Sequence, residues 1–344
     1  MIRFNSDYLE GAHPSILNKL VETNFEQTTG YSEDEYCQQA REMIRSQCQR
    51  QDVDVHFLVG GTQTNLTVIA AALRPHQSVL SASSGHINEH ETGAIEATGH
   101  KVNPIPSTDG KITTQDIENA YLKHIHDASF EHITQPKMVY ISNSTEIGTI
   151  YSRAELEAIS ETCHRYGLYL YLDGARLGYA LTSPENDLDL PTVTNLCDVF
   201  YIGGTKQGAL FGECVVIVNP ELKPDFRYII KQKGGMFAKG RLLGLQFLTL
   251  FENDLYFTIA REANEKALFL RDEFKAAGYD FLIQSPTNQQ FPILPDQKLM
   301  LLKEKYAYSY WQRIDEENSA VRFCTSWATT WDSVRQLAAD VRSL

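Results

Sequence analysis

The sequence predicts an α/β protein in which helices sandwich a mainly parallel sheet, followed by a smaller α+β domain. Three observations predict it. Short apolar runs alternate with amphipathic stretches through the first two thirds of the chain, the pattern of βαβ units whose strands are buried on both faces. From about Gly240 the pattern turns helical and then gives way to a few strand-like pieces. Composition is that of an ordinary globular chain, with 42% hydrophobic and 22% charged residues, 21 Gly and 12 Pro in 344 residues. That excludes disordered, collagen-like and coiled-coil classes and allows about two domains.

The elements follow in order. Strand-like runs rich in Val, Ile, Leu and Tyr lie at His56–Val59, Ser78–Ala82, Met138–Ser142, Leu168–Leu172, Val199–Ile202 and Cys214–Val218. Between them, Asn65–Leu73, Thr114–His124 and Arg153–Tyr166 have helical apolar spacing. Leu242, Leu243, Leu245, Phe247, Leu248 and Leu250 open the helical region, and Asp254–Lys275 continues it as a long helix. Gln290–Leu294 and Ala320–Thr325 read as strands and Trp331–Val341 as a last helix. The expected division is an N-terminal segment 1–16 tied to the small domain, a large domain 17–250, and a small domain 251–344.

Charge and cysteine use narrow the function. With 31 basic against 44 acidic side chains the net charge is −13, which repels polyanions and anionic membranes, so neither nucleic acid nor membrane is an expected partner. No run reaches the roughly 18 apolar residues of a bilayer span. The start MIRFNSDYLEGAHPS has no basic segment leading into an apolar one, so no signal peptide is expected. Six scattered cysteines without a CxxC or CxxH pair read as small core hydrophobes in a reducing cytoplasm, and no metal site is expected.

In an open parallel sheet, ligands bind outside the carboxyl ends of the strands, and four strand ends carry suitable chemistry. Val59-Gly60-Gly61-Thr62-Gln63-Thr64-Asn65 leads directly into a helix and can cradle a phosphate on backbone N–H groups; it could equally be a plain capped turn. Asp173 ends an apolar strand and is followed by Gly174-Ala175-Arg176. Either Asp173 meets a ligand cation and Arg176 a ligand anion, or Asp173 caps the turn and Arg176 neutralises it. Lys206, in Gly203-Gly204-Thr205-Lys206, is either a desolvated reactive amine or an exposed loop lysine. His86 follows Ser81–Gly85 at a strand-to-helix turn, as a structural or a catalytic imidazole. Together an anion cradle, a buried acid and an amine are the parts that hold pyridoxal 5′-phosphate.

GGTQTN, the His86–Glu91 turn, YLDGAR, GGTK and VRFCTSW stand in the order in which they occur in the threonine aldolase and β-eliminating lyase group of fold-type I pyridoxal-phosphate enzymes. Over essentially its whole length the chain resembles that group, and most of all the low-specificity L-threonine aldolases. The resemblance implies a seven-stranded central sheet and retro-aldol cleavage of L-threonine, L-allo-threonine or related β-hydroxy amino acids to glycine and an aldehyde. The alternative is a β-eliminating lyase or an aminotransferase that uses the same cofactor. It implies that Lys206 forms a Schiff base with the cofactor, that Asp173 meets the pyridine nitrogen, and that Gly61, Thr62 and Thr205 hold the phosphate. His86 covers the ring face and is the candidate base for the β-hydroxyl. Ser6, Arg176 and Arg322 receive the substrate carboxylate. Tyr31 reaches a neighbouring subunit's site in a homodimer or homotetramer. Two departures stand out. Asn143-Ser144-Thr145-Glu146 lacks a histidine that many members carry, leaving Thr145 as its substitute, and Lys231–Lys239 lacks an arginine, leaving Lys239 as the cross-subunit cation.

Overall fold

The structure, a computed structural model, describes residues 1–344. After a two-residue strand β1 (Ile2–Arg3), seven strands build the central sheet: β2 (Asp54–Leu58), β3 (Gln77–Ala82), β4 (Lys101–Ile105), β5 (Gln135–Ser142), β6 (Tyr169–Asp173), β7 (Val199–Gly203) and β8 (Glu213–Ile217). Their spatial order is β2-β8-β7-β6-β5-β3-β4. β8 runs antiparallel to both its neighbours, while β7, β6, β5, β3 and β4 pair in parallel. Successive residues of a strand face opposite sides of the sheet. Ile141, Leu172, Phe200 and Ile202 therefore join one apolar core, and Tyr140, Tyr171, Tyr201 and Val215 the other.

Six of the seven strands match the runs read from the sequence. β4 does not, because its sequence KVNPI offers no apolar alternation and carries a proline. It can hold Pro104 only because it is the last strand of the sheet and one of its sides is unpaired. The helices Thr114–Ile125 and Arg153–Tyr166 begin with reciprocal capping boxes, Thr113 with Asp116 and Ser152 with Glu155. The helical stretch from Gly240 is two helices, Arg241–Phe251 and Leu255–Ala276. They are separated where Asn253 and Asp254 take left-handed conformations (φ 54° and 59°), which Asn and Asp tolerate better than other non-glycine residues.

The C-terminal part adds β9 (Gln289–Gln290), β10 (Ile293–Pro295), β11 (Tyr306–Ala307), β12 (Ser309–Arg313) and β13 (Asn318–Cys324), with β13 pairing antiparallel to β9, β10 and β12. The N-terminus joins it: β1 pairs in parallel with β11, and Phe4 packs on Tyr306 and Phe323 in a third core. All six cysteines are free and buried. No helix is long and apolar enough to cross a membrane.

Candidate active site

The carboxyl ends of β6 and β7, the turn after β2 and the start of β8 meet around a cavity of about 320 Å³. Of the residues singled out from the sequence, Gly61, Thr62, His86, Asp173, Arg176, Thr205 and Lys206 line it. Ser6, Tyr31, Arg322 and Lys239 do not.

Asp173 lies on the same face of β6 as Tyr171 and is almost fully buried. Four neutral donors hold its carboxylate: Tyr201 Oη (2.5 Å) and the Ala175 N–H (3.0 Å) on Oδ1, Tyr140 Oη (2.5 Å) and Asn65 Nδ2 (3.2 Å) on Oδ2. The turn behind it requires glycine, since a Cβ on Gly174 would stand 1.8 Å from the Tyr201 carbonyl oxygen. Asp173 thus does cap its turn, but Arg176 does not neutralise it. Nε and Nη2 of Arg176 clasp the carboxylate of Asp7 at 2.7 and 3.0 Å, with Asn288 Nδ2 as a third donor at 3.0 Å. Burial alone would raise the Asp7 carboxyl, but Arg176, together with Lys206, brings it down to about 2. The Arg176 side of this charge pair faces the cavity, and no protein cation forms a salt bridge with Asp173.

Lys206 is partly buried, and its amine enters no ion pair and donates no hydrogen bond. Burial and the Arg176 guanidinium pull its pKa below the usual ammonium range against the opposing pull of Asp7, Asp173 and Glu213. An amine in that state is neutral more of the time and therefore a better nucleophile toward a carbonyl. Its neighbour Thr205 is committed within the protein. The hydroxyl donates to Glu213 Oε1 (2.8 Å) and accepts the Gly212 N–H (3.0 Å). Glu213, whose Oε2 accepts the Gly204 N–H at 3.1 Å, is pushed up to about 8 by burial.

His86 begins a short helix, and its Nδ1 lies 2.8 Å from Glu91 Oε1, an oxygen that also accepts Asn65 Nδ2 at 2.8 Å. Glu91 thereby fixes the orientation of the imidazole through Nδ1. The loop after β5 departs from expectation. Thr145 is fully buried, bonds to Thr149 at 2.7 Å and does not line the cavity; Ser142, Ser144 and Glu146 do. Glu146 Oε1 accepts Ser142 Oγ (2.7 Å) and the backbone N–H of His86 (3.0 Å).

Around Asn5-Ser6-Asp7 the second arginine arrives. Arg322 Nη2 donates to the Asn5 carbonyl (3.1 Å), Nη1 to Gln289 Oε1 (3.2 Å), and the guanidinium stacks over Trp311. Arg322 Nε and Ser6 Oγ are buried without a hydrogen-bond partner. Tyr31 and Lys239 belong to adjoining exposed segments, joined by the Tyr31 N–H to the Ala238 carbonyl at 3.1 Å.

The residues present fit pyridoxal phosphate. Gly60 supplies no side-chain cap, so the first N–H groups of helix Gly61–Ala72 stay open to an anion, and a Cβ on Gly61 would crowd the Tyr201 hydroxyl at 3.2 Å. Asp173 lacks a cation and Lys206 an anion. Fold and cavity together put the chain among the fold-type I pyridoxal-phosphate enzymes. Within that class it belongs to the beta-eliminating lyase family, whose sequence model matches residues 4–296. It is 30% identical to the low-specificity L-threonine aldolase of Pseudomonas aeruginosa over 99% of this chain and 97% of that protein. The structure of Leishmania major threonine aldolase is 44% identical and superposes with a TM-score of 0.97, covering 100% of this chain and 99% of that one. A putative L-allo-threonine aldolase of Listeria monocytogenes shares the fold, with a TM-score of 0.77 at 17% identity over 99% and 96% of the two chains.

Proposed function

We propose that this chain is a pyridoxal 5′-phosphate-dependent aldolase that splits the Cα–Cβ bond of threonine and related β-hydroxy-α-amino acids into glycine and an aldehyde. The observation that carries the reading is the meeting of an unpaired amine, Lys206, and a carboxylate without a cation, Asp173, beside an uncapped helix start. Likeness to threonine aldolases over the whole chain supports the choice of reaction. When bound, the cofactor supplies an electron-accepting ring conjugated to the substrate's α-carbon.

The chain's own residues do the rest. Lys206 would bind the cofactor's aldehyde through its amine, and Asp173 would face the pyridine nitrogen and hold a proton there. The N–H groups of Gly61 and Thr62 take the phosphate, and Thr205 borders it while tied to Glu213. His86, steadied by Glu91, covers the ring. Nη1 of Arg176, left over from the clasp on Asp7, would receive the substrate carboxylate in the cavity that Arg176 lines. Anchoring that carboxylate sets rotation about the substrate's N–Cα bond, and so selects which bond at the α-carbon breaks.

A homodimer or homotetramer suits the exposed apolar side chains near the N-terminus, Val21 and Phe25 at 75% and 95% exposure. Tyr31 and Lys239 would then reach a neighbouring subunit's cavity. The six free thiols suit a reducing cytoplasm. Incubation with L-threonine tests the reading: glycine and acetaldehyde should appear in equal amounts without any keto-acid acceptor. A 2-oxo acid and ammonia in place of glycine would move the chain to β-elimination.

A further inference from the structure

The reaction needs a group to take the proton of the β-hydroxyl, and the slot in which many relatives carry a second histidine does not supply one. Thr145 is turned away into the protein, bonded to Thr149. His86 would cover the cofactor ring, and its Nδ1 is already given to Glu91. One other titratable side chain of the same wall is held differently. Glu146 is clamped by one oxygen only: Oε1 accepts Ser142 Oγ and the His86 N–H, while Oε2 accepts no hydrogen bond from the protein, in a residue that lines the cavity.

Resting on the aldolase reading above, we propose that Oε2 of Glu146 is the base that removes the β-hydroxyl proton of the substrate. The proton passes from the hydroxyl to Oε2, and the O–H electron pair becomes the second carbon–oxygen bond of the aldehyde. The Cα–Cβ bond breaks with its pair left on the α-carbon, and a proton taken up there completes glycine. No oxidant or reductant enters. The surroundings suit the task. The ionisable groups around Glu146 are Asp173 at the end of β6, Tyr140 in β5, Tyr151 in the following loop, and His86. Burial, with a contribution from Asp173, lifts the Glu146 carboxyl above the ordinary carboxylate range, against the hydrogen bond from Ser142. That is the direction in which a carboxylate becomes a stronger base near neutral pH.

The test uses the holoenzyme and Glu146→Gln, which retains an oxygen for both clamping donors. Two reactions are followed: aldehyde release from L-threonine, and exchange of the α-hydrogen of glycine for deuterium, which requires the site but no β-hydroxyl. Glu146→Gln should lower kcat for aldehyde release by about 100-fold or more, with KM little changed and the acidic limb of the pH profile gone. Glycine exchange should stay within about threefold of the parent, since no general base for a hydroxyl is used there. Retention of aldehyde release and of the acidic limb would overturn the proposal. So would a parallel loss of both reactions, which marks a purely structural side chain. A parent enzyme that exchanges glycine but cleaves no β-hydroxy amino acid would sink the aldolase reading as well, which keeps the two failures apart.

Discussion

Asp173 carries most of the chemistry that can be argued at the level of one residue. Its carboxylate is buried yet satisfied only by hydroxyl, amide and backbone donors, so its charge remains to be answered by a ligand cation. At about 4 Å and an effective dielectric near 20, such a pair is worth roughly 4 kcal/mol, or about three pKa units on a pyridine nitrogen. Asp173→Asn should therefore keep cofactor binding and lose most turnover, measured as bound cofactor absorbance against aldehyde release; near-parental turnover would contradict the assignment. Asp173, Lys206, Thr62 and His86 were legible because each follows a strand that the hydrophobic pattern marks plainly. Glu213 was not. The rule that ligands gather at carboxyl ends directs attention past β8, whose antiparallel direction brings its first residue to that edge. Glu146 was missed for another reason: the slot of a familiar histidine drew attention to Thr145, and nothing in a sequence tells which of two neighbours in an irregular loop faces a cavity.

Among the elements, the extended N-terminal segment does more than complete a small sheet. Asp7 locks it onto the turn after β6 through the clasp with Arg176 and Asn288. Removing one charge of a buried pair strands the other, at a cost of about 3–5 kcal/mol. Asp7→Asn should lower the denaturant midpoint accordingly, and an unchanged midpoint would contradict the clasp. The sign of the pH effect follows from the shift. With a folded value of about 2, below the ordinary 3.8, the pair contributes fully above the ordinary value. Its contribution is lost as pH falls from about 4 through about 2. This pairing was not legible, because 168 residues of intervening chain hide which carboxylate meets Arg176. Arg153–Tyr166 was read to its ends because its cap and apolar spacing agree. β4 escaped because an edge strand need not look like a buried one.

For the whole molecule, the central sheet places its reactive side chains along one edge, and the N-terminal segment and C-terminal elements close over it. Phe4 shares a core with Phe323 and Tyr306, and Arg322 reaches back to the Asn5 carbonyl, so residues far apart in sequence meet in one C-terminal core. The α/β class and its change of character near Gly240 were legible from periodicity. The order of the strands was not, since apolar runs do not say which neighbour each will choose. The whole account depends on one covalent link, and trapping it is the most direct measurement. Borohydride reduction of the purified, pyridoxal phosphate-loaded protein, followed by peptide mass mapping, should put the reduced pyridoxyl group on Lys206 and on no other lysine in stoichiometric amount. A label on another lysine, or no label in a protein that has bound the cofactor, would contradict it.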